Sequence, residues 1–523
     1  GKTLARIIRK DPSLWVGSKS EIANRLGWVD SPHRAILNYH AMALRCKKIM
    51  RNDFRDVVLL GMGGSVITTK VLRDVFFVKN RHIPLHILDT TNPDTIRQTA
   101  NAIDISKTLF VVATKSGDTV ETISLFKYFF TECVKTVGVK KAGTHFVAIT
   151  DLNTKLVDIA QEDKFADIFI SDSDIGGRFS AFSPFGIIPA ILIGIDVYEI
   201  LLRTESYAKT LSTQSKSNMA SDAQLLGNCL ASYAENGKNK LAIIVPKKLH
   251  SIAMWLEQLI AESVGKNGHS IVPILGKEIN LQKEFSQDYC FITISPSRNP
   301  QIEKTTKMLS NTGHCVIRIK INGLTDIGAL MYFWFVVVAS IGIDMQINPF
   351  NQPDVEIAKK FAQQLKTPKT IATKIDKESV GTVVAKIKSM ITKKVNADYI
   401  AIITSLVETE QNKKAVDNLC CSLSKVYNKT IIVSTAPQYL HSIGQLYKGD
   451  AGNGIFIFLN QKPTCDIEIP CGIKPLNTFA KLLSAQINGD IVALEKLKRS
   501  VICFDVSEKR MSGLFGHEIC SPL

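Results

Sequence analysis

Short apolar runs alternate with helical stretches along most of this chain, and that alternation leaves few architectures open. Val57–Leu60 reads as a buried strand, Gly61-Met62-Gly63-Gly64-Ser65 as a turn, and the residues up to Leu72 as the start of a helix. LHILDTT (85–91), TLFVVATKSGDT (108–119) and HFVAITD (145–151) are further buried strands, with a helix over Val120–Val134 between the last two. Runs that are apolar throughout, rather than at every second residue, belong to strands covered on both faces. Strands that alternate with helices build a parallel, doubly wound sheet. A second set follows in KLAIIVP (240–246), YCFITISP (289–296) and CVIRIKI (315–321). A third follows the Lys-rich stretch Lys366–Lys377, in DYIAIITS (398–405), KTIIVSTA (429–436), GIFIFLN (454–460) and SVICFDV (500–506).

The 523 residues are enough for about three domains. We divide them into a helical segment over 1–50, αβ domains over 51–235 and 236–365, and a C-terminal αβ domain over 378–523. In the first segment, Ser18 or Ser20 offers a helix N-cap. The chain starts at Gly1 rather than Met, as a fragment or a processed product would. Ile327–Ile343, flanked by Asp326 and Asp344, and Phe179–Ile195, which contains Pro184 and Pro189, are uncharged runs, but both sit at the short edge of a membrane span and read better as buried core helices.

The net charge of +16 admits nucleic acid, an anionic surface or a small anionic substrate as partner. The basic residues are scattered and not interleaved with aromatics, which argues against nucleic acid. The chain has eleven cysteines and no CxxC, and no apolar run follows Arg6, Arg9 and Lys10. A reducing, cytoplasmic setting with free thiols follows, with no metal site and no cofactor expected.

Three places carry chemistry. The GMGGS turn lets backbone approach an anion at a helix N-terminus. It departs from the dinucleotide fingerprint, because Val66 stands where the third glycine would be. Thr114-Lys115-Ser116-Gly117-Asp118-Thr119 closes a strand and opens a helix, and its hydroxyls and ammonium suit a phosphate. The plain alternative is an ordinary capped helix. Two such turns on successive βα units favour a ligand, since ligands bind at the carboxyl ends of parallel strands. Arg178, on Gly176-Gly177, suits a developing anion, although pairing with Asp172 or Asp174 explains it as well. Finally, Ser251–His269 reads as an amphipathic helix ending at Gly265, with Met254, Trp255, Leu259 and Ile260 facing the core. Glu262 lies in its last turn, where the macrodipole mildly disfavours an acid. A general base would justify that position, and a solvated carboxylate is the plain reading.

GMGGS, TKSGDTVET, GGRFSAFSPFG, AESVGK and INPFNQPDVEIAKK, in this order, resemble the glucose-6-phosphate isomerases. The likeness is to the short bacterial form found fused to a transaldolase, and it spans about residues 10–365. It implies layered αβα sugar-isomerase domains, two in tandem, and interconversion of glucose 6-phosphate and fructose 6-phosphate. By motif, it places Gly64 and Ser65 at the sugar-phosphate site and Thr114, Lys115, Ser116 and Thr119 around the 6-phosphate. Arg178 matches the arginine that steadies an enediolate, Glu262 the base, and Lys359 a lysine near the ring oxygen. The resemblance also carries a homodimer and a preceding transaldolase. The family's ring-opening histidine has no counterpart at its usual place: His314, directly before a strand, fits poorly. His441, in LHSIGQLYKGD, is the first candidate and His269 the second. A hexose-phosphate sensor without catalysis, or an isomerase of another sugar phosphate, are the competing readings.

Overall fold

A computed structural model of the chain describes residues 2–212, 218–276, 285–296, 298–353, 373–374, 380–394, 396–407, 409–472 and 476–506. The chain forms two compact units, one of Gly1–Asp89 with Ala100–Gln352 and one of Thr90–Thr99 with Pro353–Leu523.

The first unit opens with helices, the longest being Ser31–Ile49. Ser18 caps a short helix there, accepting from Glu21 N at 3.4 Å. Two parallel sheets follow. The first is β1 (Asp56–Gly61), β2 (Leu85–Leu88), β3 (Thr108–Ala113), β4 (Phe146–Asp151) and β5 (Asp167–Ser171), in the order β2-β1-β3-β4-β5. The second is β6 (Lys240–Ile244), β7 (Val272–Leu275), β8 (Tyr289–Pro296) and β9 (Cys315–Ile321), in the order β7-β6-β8-β9. Every pairing in both is parallel. Thr108–Ala113 is buried along its whole length, as a strand covered on both faces must be. Val57↔Leu109 and Leu59↔Val111 set the central register.

β5 and β7 escaped the sequence reading. Both are edge strands of their sheets. Asp167–Ser171 is only partly buried, and Val272–Leu275 is four residues long, so neither makes a long apolar run.

The two uncharged runs are core. Leu324–Asp344, which contains the first of them, is long and apolar enough to cross a membrane, yet 78% of its apolar window is buried inside the protein. Trp334, Phe335 and Val336–Ala339 are wholly enclosed. Phe179–Ile195 breaks into a 3-10 turn, Gly177–Phe182, and a helix, Pro184–Leu192, whose N-cap Ser183 accepts from Phe185 N at 3.3 Å.

The second unit holds β10 (Thr373–Lys374), β11 (Tyr399–Thr404), β12 (Thr430–Thr435), β13 (Gly454–Asn460) and β14 (Ser500–Asp505). Their order is β10-β14-β13-β11-β12, again all parallel. Its interior is charged as well as apolar. Lys448 Nζ lies 2.5 Å from Asp490 Oδ1, and Tyr439 donates to the same carboxylate. Arg499 pairs with Asp450 at 3.0 Å, and Tyr399 donates to Asp450 at 2.9 Å. Buried charges persist only where paired and hydrogen-bonded, as these are.

Candidate active site

In the first sheet, connections run one way from β1 to β2 and the other way from β3 to β4 and β5. The carboxyl ends of β1 and β3 therefore face the crevice where such sheets take ligands. The GMGGS turn leaves β1 and the TKSGDT turn leaves β3, so both phosphate candidates stand at this switch point.

The first turn is a 3-10 element, Gly63–Ser65, closed by Ser65. Ser65 Oγ donates to Met62 O at 2.7 Å and accepts from Met62 N at 3.2 Å. Gly64 is forced by a neighbour: a Cβ there would sit 2.4 Å from Gly177 O. Ser180 Oγ bridges the same two backbones, donating to Gly177 O at 2.7 Å and to Gly64 O at 3.3 Å.

In the second turn, Thr114 and Thr119 hydroxyls meet at 2.7 Å. Thr119 occupies the N-cap position of helix Val120–Val137 without capping it by its side chain. Gly117 takes φ +74°, and a Cβ there would strike Thr154. Ser116 is exposed. The Lys115 ammonium is engaged by the Asp151 carboxylate and by the Asp172 and Ser173 carbonyls at 3.4 and 3.3 Å. Its geometry ties the turn to the loop that leads to Arg178.

Arg178 is 8% exposed. Its Nη1 donates to Ser263 Oγ at 2.5 Å and to Pro349 O at 2.9 Å, and its Nη2 donates to Asn351 O at 3.1 Å. Its Nε lies 3.7 Å from Glu262 Oε2. Burial pulls the guanidinium down to about 10, Glu262 opposes that, and Arg25 adds to it, which leaves Arg178 a cation at neutral pH. The acids considered as its plain partners go elsewhere. Asp174 and Asp172 pair with Arg34 at 2.9 and 3.3 Å.

Glu262 is 2% exposed, in the last turn of helix His250–Val264. Gln258, one turn earlier, donates to its Oε2 at 3.1 Å. A solvated helix carboxylate is thereby excluded. Trp255 on this helix is buried as expected, whereas Met254 is only half-buried.

Sequence reasoning missed the residues that frame this pair. Lys266 is 1% exposed, and its ammonium donates to Asn348 O, Asn351 O and Asn351 Oδ1 at 2.9, 2.6 and 3.2 Å. Arg178 and Lys266 thus hold one carbonyl, that of Asn351, from two sides. Ser263, Lys266 and Asn351 all lie inside motifs already singled out. Their role depends on backbone carbonyls, which residue types do not reveal.

The remaining candidates are placed within their own units. His441 ends the 3-10 turn Gln438–His441 of the second unit and is half-buried. His269 is half-buried just after the Glu262 helix, its N–H donating to Lys266 O at 2.9 Å. His314 packs edge-on against Phe291 at 5.3 Å. Lys359 lies outside the described residues. Among the described residues, no cluster of His, Cys, Asp and Glu has the makings of a metal site.

Residues 44–283 match the phosphoglucose isomerase family. Glucose-6-phosphate isomerases of Methanocaldococcus jannaschii and Mycoplasma capricolum are each 26% identical to this chain. The first aligns over 60% of this chain and 85% of its own length, the second over 64% and 88%. Among solved structures, a hypothetical protein of Thermus thermophilus superposes with a TM-score of 0.60 at 24% identity, over 70% of this chain and 94% of its own. A glucose-6-phosphate isomerase of Chlamydia trachomatis does so with a TM-score of 0.51 at 18% identity, over 74% and 81%. At those identities the two structures speak to the fold.

Proposed function

We propose that this chain, whose residues 44–283 match the phosphoglucose isomerase family, interconverts glucose 6-phosphate and fructose 6-phosphate through a cis-enediol(ate). The observation that carries this reading is the buried pair of Glu262 and Arg178, 3.7 Å apart, with the GMGGS turn packed through Gly64 against Gly177 and Arg178. The 6-phosphate docks on Ser116, Thr114 and Thr119 at the helix N-terminus, with Gly64 and Ser65 along the sugar. That distant anchor orients the reacting carbons. Glu262 takes the proton from one of C1 and C2 and returns it to the other, as one carboxylate can do for both transfers. Arg178, already fixed by three hydrogen bonds, stabilises the enediolate without reorganising. Lys115, held by Asp151, shapes the phosphate turn and adds positive potential. His441 opens the ring, with His269 as second choice, and Lys359 assists near the ring oxygen. The homodimer, the cytoplasmic setting, an upstream transaldolase and the domain limits 51–235, 236–365 and 378–523 belong to the same proposal, on the family resemblance and the three sheets.

A sugar-phosphate sensor would have no use for a buried carboxylate facing a buried guanidinium. Purified protein with EDTA present should equilibrate the two hexose phosphates in a coupled assay. Folded protein without turnover would favour the sensor, and turnover restricted to another sugar phosphate would favour the other isomerase.

The phosphate turn has its own test. The Thr119 hydroxyl caps no helix N–H, so Thr119→Ala should leave folding intact. Losing a hydrogen bond to a charged group should weaken substrate binding by ~1–3 kcal/mol. That loss should appear in KM more than in kcat. An unchanged KM would move the phosphate elsewhere.

A further inference from the structure

The strongest unassigned chemistry lies in the second sheet of the first unit. Cys290, at the start of β8, is the register partner of Cys315, at the start of β9. Adjacent strands run about 4.8 Å apart, inside the ~4.4–6.8 Å Cα window of a disulfide. Register partners also point to the same face of the sheet. On that face Cys290 belongs to the core and is 1% exposed, while Cys315 packs against it and is half-exposed. The helix Asn218–Glu235 brings Tyr233 to the pair, with Cys229 one turn earlier. Lys238 follows, its ammonium 5.8 Å from the Tyr233 ring centroid.

The two sulfurs differ in exposure, Cys290 being enclosed and Cys315 half-exposed. Tyr233 and the register partner Cys290 are the side chains that act on the Cys315 sulfur. The neighbouring Cys290 and Tyr233, with Lys238 nearby, pull Cys315 down to about 6, although burial opposes them. The neighbouring Cys315 sulfur raises Cys290, and burial adds to the rise. The more accessible sulfur is therefore the thiolate, which is the nucleophile in thiol chemistry. The buried one keeps its proton.

We propose that Cys315 and Cys290 form an oxidant-responsive thiol pair, Cys315 attacking a hydroperoxide and Cys290 resolving the product as a disulfide. In the first step the Cys315 thiolate attacks a peroxide oxygen. The O–O bond breaks, hydroxide leaves and is protonated to water, and Cys315 becomes a sulfenic acid. In the second step Cys290 gives up its proton and its sulfur attacks Cys315. The S–O bond breaks and a second water leaves. Overall two thiols are oxidised by two electrons, and hydrogen peroxide is reduced to two waters. The bond joins the edge strand β9 to its neighbour β8.

The test uses the full chain and hydrogen peroxide. After brief exposure, blocking of free thiols and digestion by trypsin without reductant, peptides 284–298 and 308–318 should be recovered cross-linked through Cys290 and Cys315. Cys290→Ser should stop the cross-link and let a sulfenic-acid trap label Cys315. The pH midpoint for alkylation of Cys315 should lie near 6 and rise in Tyr233→Phe, a change that leaves the packing in place. Cross-linking of Cys315 to Cys229 instead, or labelling spread evenly over the cysteines, would overturn the proposal. So would an alkylation midpoint near the ordinary ~8.5 of a free thiol.

Discussion

Glu262→Gln is expected to lower the isomerisation rate by ~10²–10⁴-fold, the range for losing a general base. The substitution keeps the volume of a side chain that is 2% exposed. An amide oxygen still accepts from Gln258, and the amide still fits beside the Arg178 Nε. Only basicity is removed. Substrate affinity should change little, because the phosphate turn supplies most of it. Glu262→Asp should fall between the parent and the Gln variant. It keeps the charge but withdraws by roughly 1 Å, enough to cost on the order of 10²-fold. The decisive measurement is solvent deuterium at C2 of recovered glucose 6-phosphate. It should appear with the parent protein and not with Glu262→Gln. Exchange at the parent rate in the Gln variant would reduce Glu262 to a structural partner of Arg178.

Arg178→Lys should have an effect of similar size for a different reason. Lysine preserves the charge, but one ammonium on a flexible stem cannot reproduce the planar fork. The fork now reaches Ser263, Pro349 and Asn351 while presenting Nε to Glu262. Loss of a fixed donor to a developing oxyanion is worth ~10²–10³ in kcat, and KM should move much less. Arg178→Gln goes further, leaving Glu262 buried without its cation. Breaking one side of a buried pair costs ~3–5 kcal/mol, so this variant should unfold at markedly lower denaturant concentration. Near-parent kcat in Arg178→Lys would show that any cation suffices there.

The alternation of apolar runs and helices was enough to read three parallel αβ sets, because strands buried on both faces carry an unbroken apolar signature. The edge strand β5 lacked that signature, and β7 carries it over only four residues. At the site, Glu262 was legible because it sits where a helix has no use for an acid. Arg178 was legible only as a choice between partners. The choice turned on Arg34, which lies far away in sequence and takes Asp172 and Asp174. Lys266 was invisible for the opposite reason. Its partners are carbonyls, common to all residues, and only the folded path of Asn348–Asn351 brings them to one ammonium.

The contact between Gly64 and Gly177 bears on how this chain can be recombined. The two turns lie far apart in sequence, yet one backbone fills the space that a side chain on the other would need. A crossover with a relative anywhere between residues 65 and 176 therefore joins a turn from one parent to its counterpart from the other. Such chimeras survive only when both parents shape the two turns alike. Crossovers before Gly61 or after Ser180 carry the turns together and are free of that constraint. For inheritance, the two motifs are one block.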